Sequence, residues 1–251
     1  MCVSQRQFVK CPVCGLVYIV NFQDGMTSYA TDDYFTNKHQ YTSRWDDFCL
    51  IFGAMVDEIV RFKPTGRLLD VGAGVGAFLH VARQRGFEVQ GVEVSEWASA
   101  FAREEKNLPV ITGTLEDAKL RSRDFDVIVV NHVIEHVQDP RSLLEEISRL
   151  LKDDGILVLG VPNIGSLMAR LMGAKWSSLR PDEHIWHFTP RTLTLLAERS
   201  GFVPLSVKAK YNYSAVGWSP KAVIRKLING LAVLTNRSEA MILFATKKRL
   251  N

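Results

Sequence analysis

The sequence predicts an α/β protein whose mainly parallel sheet is covered by helices on both faces. Two observations lead to this fold class. Short apolar runs typical of buried strands alternate with segments of helical periodicity from residue 44 onward. The 251 residues are 47% hydrophobic and 23% charged, which is the composition of a globular domain and not of a disordered or coiled-coil chain.

The elements follow in order along the chain. Residues 44–62 place apolar side chains at steps of three and four, and this predicts a helix that ends before Lys63-Pro64. Further helices are predicted over residues 76–85, 95–106, 139–152, 164–172 and 190–200. Strands are predicted over residues 67–71, 87–94, 108–112, 125–130, 155–162, 205–211 and 240–248. The expected sheet therefore has seven strands.

Residues 1–43 show no such alternation and are predicted as a separate N-terminal appendage or lid. They contain Cys11-Pro12-Val13-Cys14, which looks like one knuckle of a zinc ribbon. A structural zinc site needs four ligands, normally from two knuckles, and only Cys2 lies upstream. We therefore predict no metal, although the pair leaves zinc binding open.

Charge and targeting signals limit the class of function. Residues 204–251 carry nine basic residues and one acidic residue, while the rest of the chain sums to −4. A nucleic-acid-binding domain would be basic more uniformly, so no nucleic-acid partner is expected. No apolar run is long enough to span a membrane, the N-terminus lacks a signal-peptide core, and four cysteines are too few for a disulfide scaffold. These features predict a cytoplasmic protein.

The strongest local signal is the glycine-rich turn after the first predicted strand. Gly72, Gly74 and Gly76 let the backbone bend sharply and approach a ligand closely. The spacing alone also fits a dinucleotide-binding turn. Asp70 separates the two interpretations, because a pyrophosphate beside its carboxylate would be repelled by about 1 to 4 kcal/mol at 4 Å. A ligand that carries an ammonium group and hydroxyls is favoured instead, and Glu93, at the end of the second strand, is placed to bind a ribose.

With these motifs, the chain resembles the class I S-adenosylmethionine-dependent methyltransferases over roughly residues 64–203. The matching pieces are LLDVGAGVGAF, the acid in GVEVS, Gly113-Thr114-Leu115-Glu116, FDVIVVNHVIEHVQDP and RLLKDDGILVLGVPN. The small-molecule enzymes of the ubiquinone-biosynthesis O-methyltransferase type are the most similar. The resemblance implies a Rossmann-like seven-stranded sheet in the order 3-2-1-4-5-7-6, with strand seven antiparallel, and a methyltransferase domain over residues 44–251.

The resemblance also implies that S-adenosylmethionine is the cofactor. Its implied contacts are Asp70, Gly72, Ala73, Gly74, Gly76, Glu93, Val94, Thr114, Leu115, Asn131 and His132. Asp70 would lie beside the ammonium group and Glu93 would accept from the ribose hydroxyls. Many relatives have an aspartate at the position of Thr114, where it accepts from the adenine amino group. Either Glu116 or Asp117 would have to replace it here.

Catalysis of methyl transfer needs alignment and, for a hydroxyl acceptor, a general base. His184 and His187 lie in the segment that resembles the cover of the acceptor pocket, and they are predicted as base or acceptor contact. Alternatively, they cap the helix that starts at Thr189-Pro190 or stack on Trp186. Glu135 and His136 are expected mainly to hold the loop after strand four in shape.

The predicted function is methyl transfer to a small-molecule acceptor, with oxygen favoured over nitrogen or carbon. A nicotinamide-dependent oxidoreductase and a catalytically silent cofactor-binding module are the alternatives. In the implied lid, Tyr34 and Arg44 would touch the donor or else pack on the sheet edge. The basic amphipathic segment 220–234 is predicted to touch an anionic membrane, to cover the pocket or to form a homodimer contact.

Overall fold

A computed structural model describes residues 2–3, 6–21, 38–211, 228 and 230–248. The strands are β1 (Cys2–Val3), β2 (Arg6–Lys10), β3 (Val17–Ile19), β4 (Gly66–Val71), β5 (Phe87–Glu93), β6 (Val110–Thr112), β7 (Phe125–Asn131), β8 (Leu151–Pro162), β9 (Trp186–His187), β10 (Phe202–Tyr211) and β11 (Ala240–Lys247). The helices are α1 (Lys38–Ser43), α2 (Trp45–Phe62), α3 (Ala77–Gln84), α4 (Glu96–Glu104), α5 (Pro140–Leu150), α6 (Leu167–Met172) and α7 (Pro190–Arg199), and a 3₁₀ turn covers Gly173–Lys175.

Seven strands form the main sheet in the order β6-β5-β4-β7-β8-β11-β10. Strand β11 runs antiparallel to both of its neighbours, and the pairs among β4 to β8 are parallel. Numbered along the chain from β4, with β9 left out, this is the order 3-2-1-4-5-7-6. The predicted fold class and strand order are therefore confirmed.

The apolar runs form strands because the sheet is buried on both faces. In β7, Val127 and Val129 pack into one hydrophobic cluster, while Ile128 and Val130 pack into the cluster on the opposite face. All four side chains are fully buried. Strands β8 and β10 begin earlier than the apolar runs predict, because their first residues still pair with neighbouring strands, as in Leu151 with Phe125.

The N-terminal region, for which the sequence predicted an appendage but no strands, contains a second, smaller sheet. Strands β1, β2, β3 and β9 form a small antiparallel sheet, in which Val17 pairs with His187 and Tyr18 with Trp186. The turn between β2 and β3 contains the two cysteines of the knuckle, and Gly15 completes it with φ at +85°. The hairpin thus lies directly on the segment that carries His184 and His187.

Two features predicted from the sequence lie wholly or mostly in segments that the structure does not describe. Tyr34 lies outside the described residues, and so does most of segment 220–234, of which only 228 and 230–234 are described. Where the chain is described, no helix combines the length and the apolar character needed to cross a lipid bilayer.

Candidate functional site

A cavity of about 560 Å³ opens where β4, β5 and β7 end at the carboxyl edge of the sheet. This is the edge at which parallel α/β sheets bind ligands, and the volume suits a small organic molecule. The predicted cofactor residues in its lining are Gly72, Ala73, Gly74, Glu93, Val94, Thr114, Leu115, Asn131 and His132. Asp70, Gly76, His184 and His187 are not part of the lining.

The glycines of the turn after β4 have different roles. All three have a left-handed backbone, with φ at +77° for Gly72, +52° for Gly74 and +86° for Gly76. A Cβ on Gly72 would lie 2.3 Å from Val133 Cγ2, and one on Gly76 would lie 2.5 Å from Leu108 Cδ1. A Cβ on Gly74 would meet no atom of the described residues within 4 Å. Gly72 and Gly76 therefore allow close packing, whereas Gly74 leaves open space at the cavity.

Glu93 connects this turn to the end of β5. Its Oε2 accepts a hydrogen bond from Gly74 N at 2.7 Å, and its Oε1 accepts one from Ser95 N at 2.9 Å. Burial raises the pKa of the Glu93 carboxyl, while the hydrogen bonds from the Ser95 and Gly74 amides act in the opposite direction. The side chain both shapes the turn and lines the cavity.

Asp70 lies in β4, one residue before the end of the strand, behind the cavity lining. It is buried, and its neighbours in the sheet are Gly91 and Val129. Burial, and then the nearby charge of Glu93, raise the pKa of Asp70 to about 8. A cation bound beside the two carboxylates would relieve this repulsion.

Of the two acids expected to meet the adenine amino group, Asp117 engages its side chain in the turn after β6 and Glu116 does not. Asp117 Oδ2 accepts hydrogen bonds from Thr114 Oγ1 at 2.7 Å and from Thr114 N at 3.2 Å, so it holds the turn after β6. Glu116 lines the cavity beside Thr114 and is exposed. Of the two acids, Glu116 is the one placed to meet a ligand.

The loop after β7 contains a side-chain hydrogen bond between two residues three positions apart. His132 has a left-handed backbone with φ at +58°, which is uncommon for a residue with a side chain. Its Nδ1 lies 3.0 Å from Oε1 of Glu135, which is fully buried. Burial opposes ionisation of Glu135, yet the hydrogen bond from His132 holds the pKa of the Glu135 carboxyl low, at about 2.

His184 and His187 lie behind the cavity wall and are buried. His184 Nδ1 lies 2.9 Å from Ser178 O, and His187 Nε2 lies 2.9 Å from Leu179 O. Burial lowers the pKa of both, that of His184 to about 3. The helix cap is made by Thr189 itself, whose hydroxyl accepts from Thr192 N. The catalytic role of the two histidines stays a prediction.

The fold brings together the histidines that follow strands four and five of the sheet. The rings of His136 and His184 lie 4.5 Å apart, and those of His184 and His187 lie 6.2 Å apart. Glu135, His136 and His184 each offer a ligand atom, and these atoms lie within 4.8 Å of one another. This group could hold a metal ion. Sequence reasoning missed it because the two segments are nearly fifty residues apart.

Sequence reasoning also missed the apolar side of the cavity. Tyr41 of α1 and Phe48 and Phe52 of α2 line it, as do Val137 and Leu143. The helical periodicity of residues 44–62 predicted an apolar face, but not what that face covers. Arg44, the other residue expected to touch the donor, is exposed and pairs with Asp47 at 3.2 Å.

The cysteine knuckle is formed but remains incomplete within the described residues. Cys11 and Cys14 are both free thiols, and hydrogen bonds from the backbone of Cys14 and Val13 lower the pKa of Cys11. Among the described histidine, cysteine and acidic side chains, none joins them in a group of three ligand atoms. Zinc binding at the knuckle stays open.

Comparisons with known proteins agree with this geometry. The model of a family described as a methyltransferase domain matches residues 39–207, about two thirds of the chain. An uncharacterized protein of Methanocaldococcus jannaschii is 27% identical over 137 residues, which is 54% of this chain and 64% of that protein. A ubiquinone biosynthesis O-methyltransferase of Cereibacter sphaeroides is 30% identical over 164 residues, 61% of this chain and 66% of that protein. The chain thus spans just under two thirds of each relative.

A solved structure supports the fold. A Thermotoga maritima S-adenosylmethionine-dependent methyltransferase, described as a possible histamine N-methyltransferase, superposes with a TM-score of 0.62. The superposition covers 86% of this chain and 98% of the T. maritima chain at 22% sequence identity. At that identity the likeness shows the fold alone.

Proposed function

Because the chain belongs to the class I S-adenosylmethionine-dependent methyltransferases, we propose that it transfers a methyl group from S-adenosylmethionine to a small-molecule acceptor. S-adenosylhomocysteine is the second product. The observation that carries this proposal is the Glu93 carboxylate, which lines the cavity while it holds the Gly74 amide at 2.7 Å. The methyltransferase family predicted from the sequence is confirmed, whereas the roles of single residues are proposals.

The residues present fit this cofactor. When bound, S-adenosylmethionine supplies an activated methyl group on a sulfonium. We place its ribose at Glu93, its ammonium group toward Asp70 and its adenine between Leu115 and Glu116. The open space beside Gly74 supports this placement, because no Cβ fills it.

The acceptor side is predicted to bind a partly apolar molecule with one polar group. Tyr41, Phe48 and Phe52 supply an apolar surface to the cavity, and His132 and His136 supply polar atoms to the same lining. Buried apolar walls with a few polar groups are typical of small-molecule sites, and they also exclude water from the transferring methyl group. Oxygen is the favoured acceptor atom, since the C. sphaeroides relative is an O-methyltransferase. Nitrogen and carbon acceptors are the alternatives.

We further propose that His184 and His187 support catalysis from behind the wall, because His184 packs against the cavity-lining His136. Residues 1–43 are proposed as the appendage that covers this side of domain 44–251, on the support of the pairing between Val17 and His187. A cytoplasmic location, membrane contact through segment 220–234 and homodimerisation stay predictions. The free thiols are consistent with the first of these predictions, and the basic residues of segment 220–234 motivate the second.

The proposed function is tested with radiolabelled S-adenosylmethionine and two acceptor panels, one of phenols and catechols and one of primary and secondary amines. We expect label transfer to at least one phenol, and transfer lower by about tenfold or more with Glu93→Gln protein at a subsaturating donor concentration. Transfer only to amines would replace the oxygen assignment. Oxidation or reduction of either panel with NADH, and no label transfer, would favour the oxidoreductase instead.

A further inference from the structure

The cluster of Glu135, His136 and His184 lies outside the proposed cofactor contacts and needs a separate explanation. Its three ligand atoms come from two distant segments and meet within 4.8 Å in the buried interior. We propose that these three residues bind a divalent transition-metal ion of the zinc class at the acceptor side of the cavity. The metal site itself stands on the cluster geometry, and only its role in catalysis rests on the proposed function.

The two imidazoles have the orientation of metal ligands. His136 Nδ1 lies 3.0 Å from Glu183 O, and His184 Nδ1 lies 2.9 Å from Ser178 O. A carbonyl oxygen only accepts hydrogen bonds, so each Nδ1 carries the proton and each Nε2 presents a lone pair. Metal-binding histidines are usually fixed in this way, by a carbonyl that receives the other ring N–H.

The carboxylate of Glu135 adds a third electron-pair donor to the two imidazole nitrogens. Glu135 Oε1 is hydrogen-bonded to His132 Nδ1 at 3.0 Å, while Oε2 is buried and, among the residues that the structure describes, has no hydrogen-bond partner. A buried carboxylate oxygen without a donor is costly. A bound cation would remove this cost, and His132 would then orient the ligating carboxylate from the outer shell.

The distances and the donor types select the metal. His136 Nε2 lies 3.9 Å from Glu135 Oε1. Ligand atoms of a tetrahedral zinc ion lie about 3.3 Å apart, given bond lengths of about 2.0 to 2.1 Å, so side-chain shifts of about 1 Å close the site. Two imidazoles and one carboxylate suit zinc and its transition-metal neighbours better than magnesium or calcium, which prefer oxygen.

Three protein ligands leave a fourth position for a substrate atom, as in catalytic zinc sites. His136 lines the cavity, so the cation would lie at the wall that the acceptor contacts. There it would lower the pKa of an acceptor hydroxyl, so that the hydroxyl proton passes to solvent water and the oxygen becomes nucleophilic. His187 is not a ligand in this arrangement, because its Nε2 is committed to Leu179 O.

The site is tested by titrating ZnCl2 into the full chain by calorimetry, in a Cys11→Ser/Cys14→Ser background that removes the knuckle thiols. We expect one zinc ion per chain. Glu135→Gln and His184→Gln should each weaken binding by about 100-fold or more. His187→Gln, a buried histidine outside the ligand set, and His80→Gln, a surface histidine on α3, should change it by less than threefold.

A second measurement does not depend on the folding of the variants. Co²⁺ added to the same cysteine-replaced protein should give visible absorption bands of a four- or five-coordinate nitrogen and oxygen site, and ZnCl2 should abolish them. No stoichiometric zinc binding together with an octahedral Co²⁺ spectrum would overturn the proposal, and so would zinc affinity that is unchanged in both Glu135→Gln and His184→Gln. The affinity of the His184→Gln protein for S-adenosylhomocysteine is also measured. This distinguishes a failure of the proposed metal site from a failure of the proposed cofactor site.

Discussion

The carboxylate of Glu93 accepts a hydrogen bond from the backbone N–H of Gly74 at 2.7 Å, and it thereby joins the end of β5 to the turn that follows β4. The two residues are 19 positions apart in the chain. The sequence indicated each as part of a nucleoside site by an independent signal, a glycine turn and a strand-end acid. Their contact makes Glu93 a determinant of the turn's shape as well as the proposed ribose contact.

The first prediction concerns Glu93→Gln. The amide would place a donor against either Gly74 N–H or Ser95 N–H, and it would lose the charge that strengthens hydrogen bonds to ribose hydroxyls. S-adenosylhomocysteine affinity should fall by about tenfold or more, as expected when a charge-assisted hydrogen bond is lost. Calorimetric titration measures this affinity. The matched control is Glu96→Gln, because Glu96 is an exposed residue of α4. Equal losses in the two variants would remove Glu93 from the site.

The second prediction uses the raised pKa of Asp70, about 8 in the folded chain. In the unfolded chain an aspartate has a pKa of about 4. Between the unfolded and folded pKa values, the folded state therefore binds more protons than the unfolded state. The free energy of unfolding should therefore fall as the pH rises from 5 to 8, by up to about 1.4 kcal/mol per pH unit from this group. Asp70→Asn should remove that part of the slope.

The measurement for Asp70 is urea unfolding of wild type and Asp70→Asn at pH 5, 6, 7 and 8. The difference between the two proteins removes the contribution of distant titrating groups and reports on the Asp70 carboxyl together with its electrostatic coupling to Glu93. Parallel pH dependences would mean that Asp70 is already ionised in the folded chain throughout this range.

A third prediction separates backbone strain from packing at the glycine turn. Gly76→Ala would put a Cβ 2.5 Å from Leu108 Cδ1 at φ +86°, whereas Gly86→Ala meets no atom within 4 Å at φ +93°. Left-handed strain costs both variants about 1 to 2 kcal/mol, and overpacking costs Gly76→Ala about 1 to 3 kcal/mol more. Urea unfolding should show this order, and equal losses would contradict the tight packing of Gly76.

The fourth prediction concerns the histidines behind the wall. The double variant His184→Gln/His187→Gln should lower turnover on an acceptor identified in the panels by at least tenfold, while S-adenosylhomocysteine affinity stays within threefold. Neither side chain lines the cavity, so the effect acts through His136 and Glu135. His80→Gln is the control for loss of a histidine. Full activity of the double variant would exclude both residues from catalysis.

The sequence was informative where the structural signal is local. The run 125–130 predicts β7 because its side chains are buried on both faces, and the glycines and Glu93 mark the cofactor edge by their spacing. The two-residue strand β9 has no periodicity to detect, and its partner Val17 is 170 positions away. The cluster of Glu135 and His184 likewise depends on how two loops pack, which no local pattern encodes.

The central claim is that the cavity at the ends of β4, β5 and β7 binds S-adenosylmethionine. Isothermal titration calorimetry of the purified chain with S-adenosylmethionine and S-adenosylhomocysteine, and with NADH as the control, tests it most directly. We predict micromolar, one-to-one binding of both sulfur nucleosides, a loss of about tenfold or more in Glu93→Gln, and no binding of NADH. Binding of NADH without either sulfur nucleoside would contradict the account.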